Sequence, residues 1–177
     1  SMAITRLNNN SLTSITALPS GVGGVTMANH WRLTADIAGP SADITTSSIE
    51  QVDTSMQSNL GSSMTYSSGI FTFPSTGLYL ILFKLATTNS AGDETVCVLQ
   101  CEATTDNSSY SVISQCFTSA RPEHNNQTSM GSTLIDVTDT SNCKVKFSTT
   151  SQQANTNVMG DSTKDETTFT FIKLGET

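Results

Sequence analysis

Leu78-Tyr79-Leu80-Ile81-Leu82-Phe83-Lys84-Leu85 is the most apolar run of the chain, and it is apolar at odd and even positions alike. Successive side chains of a strand point to opposite faces. Tyr79, Ile81, Phe83 and Leu85 therefore line one side, and Leu78, Leu80, Leu82 and Lys84 the other. Such a strand does not belong in a sheet with one wet side, because leaving three leucines in water forfeits about 1.5–3 kcal/mol of burial each. One face fills a core and the other needs a second cover. The chain shows no convincing amphipathic helix, so the available cover is another copy of the same sheet, and the pattern predicts a homo-oligomer.

The rest of the sequence suits an all-β protein. Of its 177 residues only 36% are hydrophobic and 13% charged, and Ser, Thr and Asn make up the difference. That composition describes a neutral, hydroxyl-coated surface common in secreted and virion proteins. A net charge of -7 with only 8 Lys and Arg argues against nucleic acid, whose phosphates such a surface repels. No apolar run is long enough to span a bilayer, and the start lacks the order of a signal peptide, so neither membrane insertion nor export is expected. Ser1-Met2 reads as the remnant of a cleaved tag before the natural start.

Residues 1–28 read as an extended arm that orders only against a partner, since Ile4, Leu7, Leu12, Ile15 and Leu18 are too sparse for a core. The Gly21-Val22-Gly23-Gly24 joint separates it from a body over 29–177. There, His30 to Ile37 alternates as a half-buried strand, and 41–61 reads as an irregular connection with room for one short strand. Gly69-Ile70-Phe71-Thr72-Phe73 and the leucine run follow, joined by a Pro74 and Gly77 corner. Thr95–Cys101 and Tyr110–Phe117 read as a hairpin, 119–129 as an exposed loop, Ser132–Val137 and Cys143–Phe147 as a second hairpin, 150–164 as a polar loop, and Thr167–Leu174 as a closing strand. Eight to ten strands at this spacing predict a β-sandwich or jelly roll.

Gly69, Phe71, Thr72, Pro74, Gly77, Leu78, Tyr79 and Phe83 are similar to the core signature of the globular head of complement C1q and its tumour-necrosis-factor relatives. Gly131-Ser132 to Val137, and Asp161-Ser162 with Thr168-Phe169-Thr170-Phe171, resemble two later blocks of that family, so the likeness spans roughly residues 30–175. Thr76 stands where the family has a second Pro, and Phe171 where it has a Gly, which puts local packing in question. The resemblance implies a ten-stranded, C1q/TNF-like jelly roll assembling as a homotrimer, with Leu78, Leu80 and Leu82 at the interface. The leader resembles the N-termini of tail-fibre and other structural proteins of marine bacteriophages.

Among residues that could carry chemistry, Cys97, Cys101, Cys116 and Cys143 read as buried thiols, with a Cys97 to Cys116 disulfide as the alternative. His30 and His124 stand outside any metal-ligand spacing. The resemblance implies calcium near a trimer apex, for which Asp93, Asp161 and Asp165 are loop candidates, but no compact Asp-x-Asp-x-Asp loop exists and the default is no cofactor. No catalytic frame is visible. Arg121, His124, Asn125 and Asn126 are the candidate ligand-loop residues. Together these predict a non-enzymatic virion protein, assembled in the host cytoplasm, whose arm contacts other virion proteins and whose head binds a host-surface receptor or glycan. A purely structural decoration module and a secreted lectin-like or cytokine-like head are the alternatives.

Overall fold

The computed structural model describes residues 24–40, 44, 48–121 and 126–177. In chain order the strands are β1 (Met27–Leu33), β2 (Ala35–Ala38), β3 (Ile49–Gln51), β4 (Thr65–Ser67), β5 (Ile70–Thr72) and β6 (Gly77–Asn89). They continue with β7 (Glu94–Thr104), β8 (Ser111–Ala120), β9 (Asn126–Val137), β10 (Lys144–Thr150), β11 (Thr156–Asp161) and β12 (Thr168–Gly175). Every pairing is antiparallel, and the described residues contain no helix long and apolar enough to cross a membrane.

The first sheet is built on β6. Strand β9 pairs along one side of it, while β12 and β11 pair end to end along the other, at Leu78–Lys84 and Thr87–Asn89. Strands β1 and β2 repeat that arrangement against β12 and β11, and β3 covers β1. The second sheet runs β4-β5-β10-β7-β8. Twelve segments thus fill ten strand rows, five in each sheet, which is the expected jelly roll with two rows interrupted. The break between β1 and β2 falls at Thr34, whose N–H leaves the ladder to donate to Ser48 O at 2.8 Å.

The core lies between the sheets and is aromatic. Tyr79, Ile81, Phe83 and Leu85 point inward with at most 1% exposure. They meet Phe71, Leu99, Val145 and Phe147 from the other sheet. Ring centroids of Phe147 and Phe169 lie 4.3 Å apart, and those of Phe73 and Tyr79 4.8 Å, in tilted geometries that aromatic quadrupoles favour. Phe171, placed where the resembled family has Gly, packs 4.9 Å from Phe71 and is fully buried, so that departure adds a core ring. Gly131 makes room for this packing: a Cβ there would sit 2.2 Å from the Phe83 ring. Gly69 follows Ser68, and both have positive φ (87° and 50°), the geometry of the tight turn between β4 and β5.

Three local expectations are corrected. Strands β9 and β10 do not form a hairpin. Asp139 caps the intervening turn and carries the chain from one sheet to the other, where β9 pairs with β6 and β10 with β5 and β7. The loop expected over 119–129 shrinks, because β8 runs to Ala120 and β9 starts at Asn126. The loop expected over 150–164 contains β11, which completes the row of β12. The first strand starts at Met27, which is already buried; the expected arm's residues 1–23 lie outside the described residues.

Candidate functional site

Because β6 is central, its outward face is the middle of a broad surface, and the registers give that surface in rows. Arg32, Thr168, Lys84 and Met130 form one row; His30, Thr170, Leu82 and Ser132 the next; Ala28, Ile172, Leu80 and Leu134 the third; Leu78 stands beside Asp136 in the last. Leu78, Leu80 and Leu82 are half-buried, neither covered by their own chain nor bare, while Leu134 is 57% and Met130 67% exposed. The lower rows therefore make a contiguous apolar patch.

The upper rows are charged and tied down. Buried Arg32 donates from Nε to Glu50 Oε1 at 2.8 Å, with Nη2 2.7 Å from the same oxygen. His30 bridges Thr170 Oγ1 (2.7 Å) and Asp165 Oδ2 (3.1 Å), and Gln57 Nε2 donates to that same Asp165 oxygen at 2.7 Å. These contacts fasten two loops onto the sheet and give the patch a polar border, as at protein interfaces. Sequence reading missed this network because its members lie up to 140 residues apart.

Exposed apolar residues also lie on β8, the edge strand of the second sheet. Val112, Ile113 and Phe117 of β8 are 46%, 41% and 55% exposed. Ile113 and Leu134 share a groove of about 380 Å³ between β8 and β9. Ser114 Oγ donates to Ser132 O at 2.9 Å, holding the two edges together.

Of the candidate ligand residues, Arg121 and Asn126 are exposed at one pole; His124 and Asn125 lie outside the described residues. Asp93 is exposed at the same pole. Asp161 is occupied, accepting from Thr163 Oγ1 and N (2.7 Å each) and Lys164 N (3.1 Å), and these donors, the Thr163 hydroxyl first, hold its carboxyl well below the usual carboxylate range. Asp165 is engaged by His30 and Gln57. Among the described residues no three His, Cys, Asp or Glu groups are placed to hold a metal.

All four cysteines are buried and unpaired. Cys97 stands opposite Thr118 and Cys116 opposite Leu99, so the two thiols are diagonal rather than facing across the β7 and β8 ladder. Burial pushes Cys97 and Cys101 up to about 12 and Cys116 up to about 11, which keeps them as uncharged thiols.

No family model matches the chain, and no curated protein does. The structure is similar to the Eiger TNF of S. frugiperda, with a TM-score of 0.65 and 14% identity over 88% of this chain and 96% of that one. It is similar to murine APRIL at pH 5.0, with a TM-score of 0.61 and 11% identity over 84% and 98%. It is also similar to the PRD1 vertex protein P5, with a TM-score of 0.50 and 22% identity over 86% and 100%. At these identities the likeness is one of fold. The neighbours are tumour-necrosis-factor jelly-roll heads and a phage vertex protein, and the fold is the one they share.

Proposed function

We propose that this chain is a non-enzymatic virion component, a homotrimeric head that its N-terminal arm fixes to the particle and that presents its far pole to a host-surface ligand. The observation that carries the assembly is the half-buried row Leu78, Leu80 and Leu82, joined by exposed Leu134 and Met130. A second copy is the occupant that fits, because the apolar surface runs from the face of β6 through Leu134 to Ile113 on the edge strand β8. A face packed on a neighbour's edge is a heterologous contact, which closes into a ring or runs on as an open filament, and the ring is the form a discrete head takes.

The poles give the assembly a direction. Met27 pairs with Lys173, itself opposite Tyr79, so the chain enters the body beside the start of β6. Arg121 and Asn126 lie at the other end, next to Thr88. Thirteen strand residues place the poles roughly 40 Å apart at about 3.3 Å each. A head mounted by its arm thus holds its ligand pole outward. The fold likeness to a phage vertex protein supports a particle location.

The mass in solution, measured by light scattering with and without a chelator, tests this reading. The expected result is three times the 18.8 kDa chain mass in both conditions. A monomer in both removes the assembly. A trimer that dissociates on chelation keeps the assembly and brings in the calcium that the family resemblance implied.

A further inference from the structure

Glu94 is 2% exposed at the first position of β7, and its two carboxylate oxygens differ. Oε2 accepts from the Gln153 N–H at 2.9 Å, whereas Oε1 is buried with no donor among the described residues. A buried carboxylate oxygen in that state carries a desolvation cost that a ligand's O–H or N–H relieves. Glu94 also lines a pocket of about 450 Å³. That size is ordinary for a small-molecule site.

The other lining side chains point to a class of ligand. Asp93 adds acceptors, Arg121 a guanidinium donor, Thr95 and Ser119 hydroxyls that do both, and Gln127 an amide. Among the described residues the lining has no aromatic or branched aliphatic wall, which argues against an apolar ligand, and no three metal-ligating groups converge. A ring carrying many hydroxyls meets such a lining. Two carboxylates against one guanidinium leave the lining negative, so a ligand carboxylate is disfavoured and an ammonium favoured. The site is also preformed. Asn89 is buried and donates to Gly92 O at 2.7 Å while accepting from Ala91 N at 3.1 Å and Asn155 Nδ2 at 3.0 Å, and Ser90 N donates to Asn155 O at 3.0 Å.

We infer that this pocket binds one saccharide unit, neutral or amine-bearing, through a hydroxyl or ammonium donated to Glu94 Oε1, with Arg121 as donor at the rim. The inference rests on the reading of the head as a ligand-binding device and names its ligand class. Three copies at the outward pole would turn weak single-sugar contacts into firm attachment.

The test titrates the full ¹⁵N-labelled chain with methyl glucoside, its 2-amino analogue and methyl glucuronide, following backbone amide shifts. The first two are expected to move Glu94, Ser119, Arg121 and Gln127. The amine should bind about three- to tenfold tighter, because a charge-assisted hydrogen bond is roughly twice as strong as a neutral one. The glucuronide should bind weakest. Glu94→Gln should erase the advantage of the amine, and Arg121→Ala, at an exposed position, should weaken both sugars in a folded protein; if Glu94→Gln fails to fold, Arg121→Ala decides. Shifts confined to other residues, a preference for the glucuronide, binding of spermidine or calcium without either sugar, or an Arg121→Ala variant that binds normally would each overturn the inference. Labelled head applied to an array of bacterial surface polysaccharides separates the two readings. Array binding that Arg121→Ala leaves intact refutes the pocket and keeps the ligand-binding head, whereas pocket binding of the sugars with a silent array refutes the host-surface role and keeps the pocket.

Discussion

The two faces of β6 carry the same class of residue and reach different ends. Tyr79, Ile81, Phe83 and Leu85 are at most 1% exposed, sealed by the second sheet, while Leu78, Leu80 and Leu82, their neighbours in sequence, are half-buried. Hydrophobicity does not distinguish them; the location of the covering layer does. One face is closed by its own chain, and the other is left partly open. Burying what remains exposed on the outward leucines would contribute about 1 kcal/mol each. That is a modest gain per residue, which repetition around a ring makes sufficient.

The largest effect should come from breaking the closed face. Phe83→Ala should lower unfolding stability by about 3–5 kcal/mol, because a cavity forms where the ring meets Phe147 and Gly131. Urea unfolding measures it, and a loss under 1 kcal/mol would mean that the aromatic core repacks easily. Next comes the open face. Leu82→Asp should leave the far-ultraviolet spectrum of a β-sandwich intact while light scattering shows monomers. A variant that keeps its trimer removes this face from the interface, and one that unfolds shows that the face belongs to the core. The smallest effect concerns the buried thiols between β7 and β8. Their folded values lie above the ordinary 9, at about 12 for Cys97 and Cys101 and about 11 for Cys116, so folding favours the protonated form. Stability from this source is fully present below pH 9 and declines as the pH rises from there towards 12. A urea midpoint that is flat to pH 8.5 and falls above it is expected, and replacing Cys101 with Ala should flatten part of that fall.

Legibility in the sequence followed the range of the interactions. The two-sided run was readable because alternation is local, and the corner at Pro74 and Gly77 because a chain needs such residues to leave one sheet for the other. The turn at Asp139 was misread because a hairpin and a sheet-to-sheet corner use the same capping chemistry, and only the distant partners of β9 and β10 separate them. Strand β11 was taken for loop because Thr156–Asp161 is polar, and its place is decided by β6 and β2 on either side. In the candidate pocket, Arg121 is legible as a loop residue, whereas nothing local in the sequence marks Glu94, beside Asp93, as buried. Its burial comes from the Gln153 segment laid over it.

By itself the sequence determined the all-β class, the corner signature, the identity of the core stripe and the existence of an outward apolar stripe. These follow from the period of two and from side-chain chemistry, which act over a few residues. Tertiary structure alone decided the pairing of rows, the joining of His30, Arg32, Glu50 and Asp165 into one border, and the burial of a carboxylate oxygen at the pole opposite Met27. Such features depend on which distant segments share a surface, and a linear chain states that only once its sheets have closed on each other.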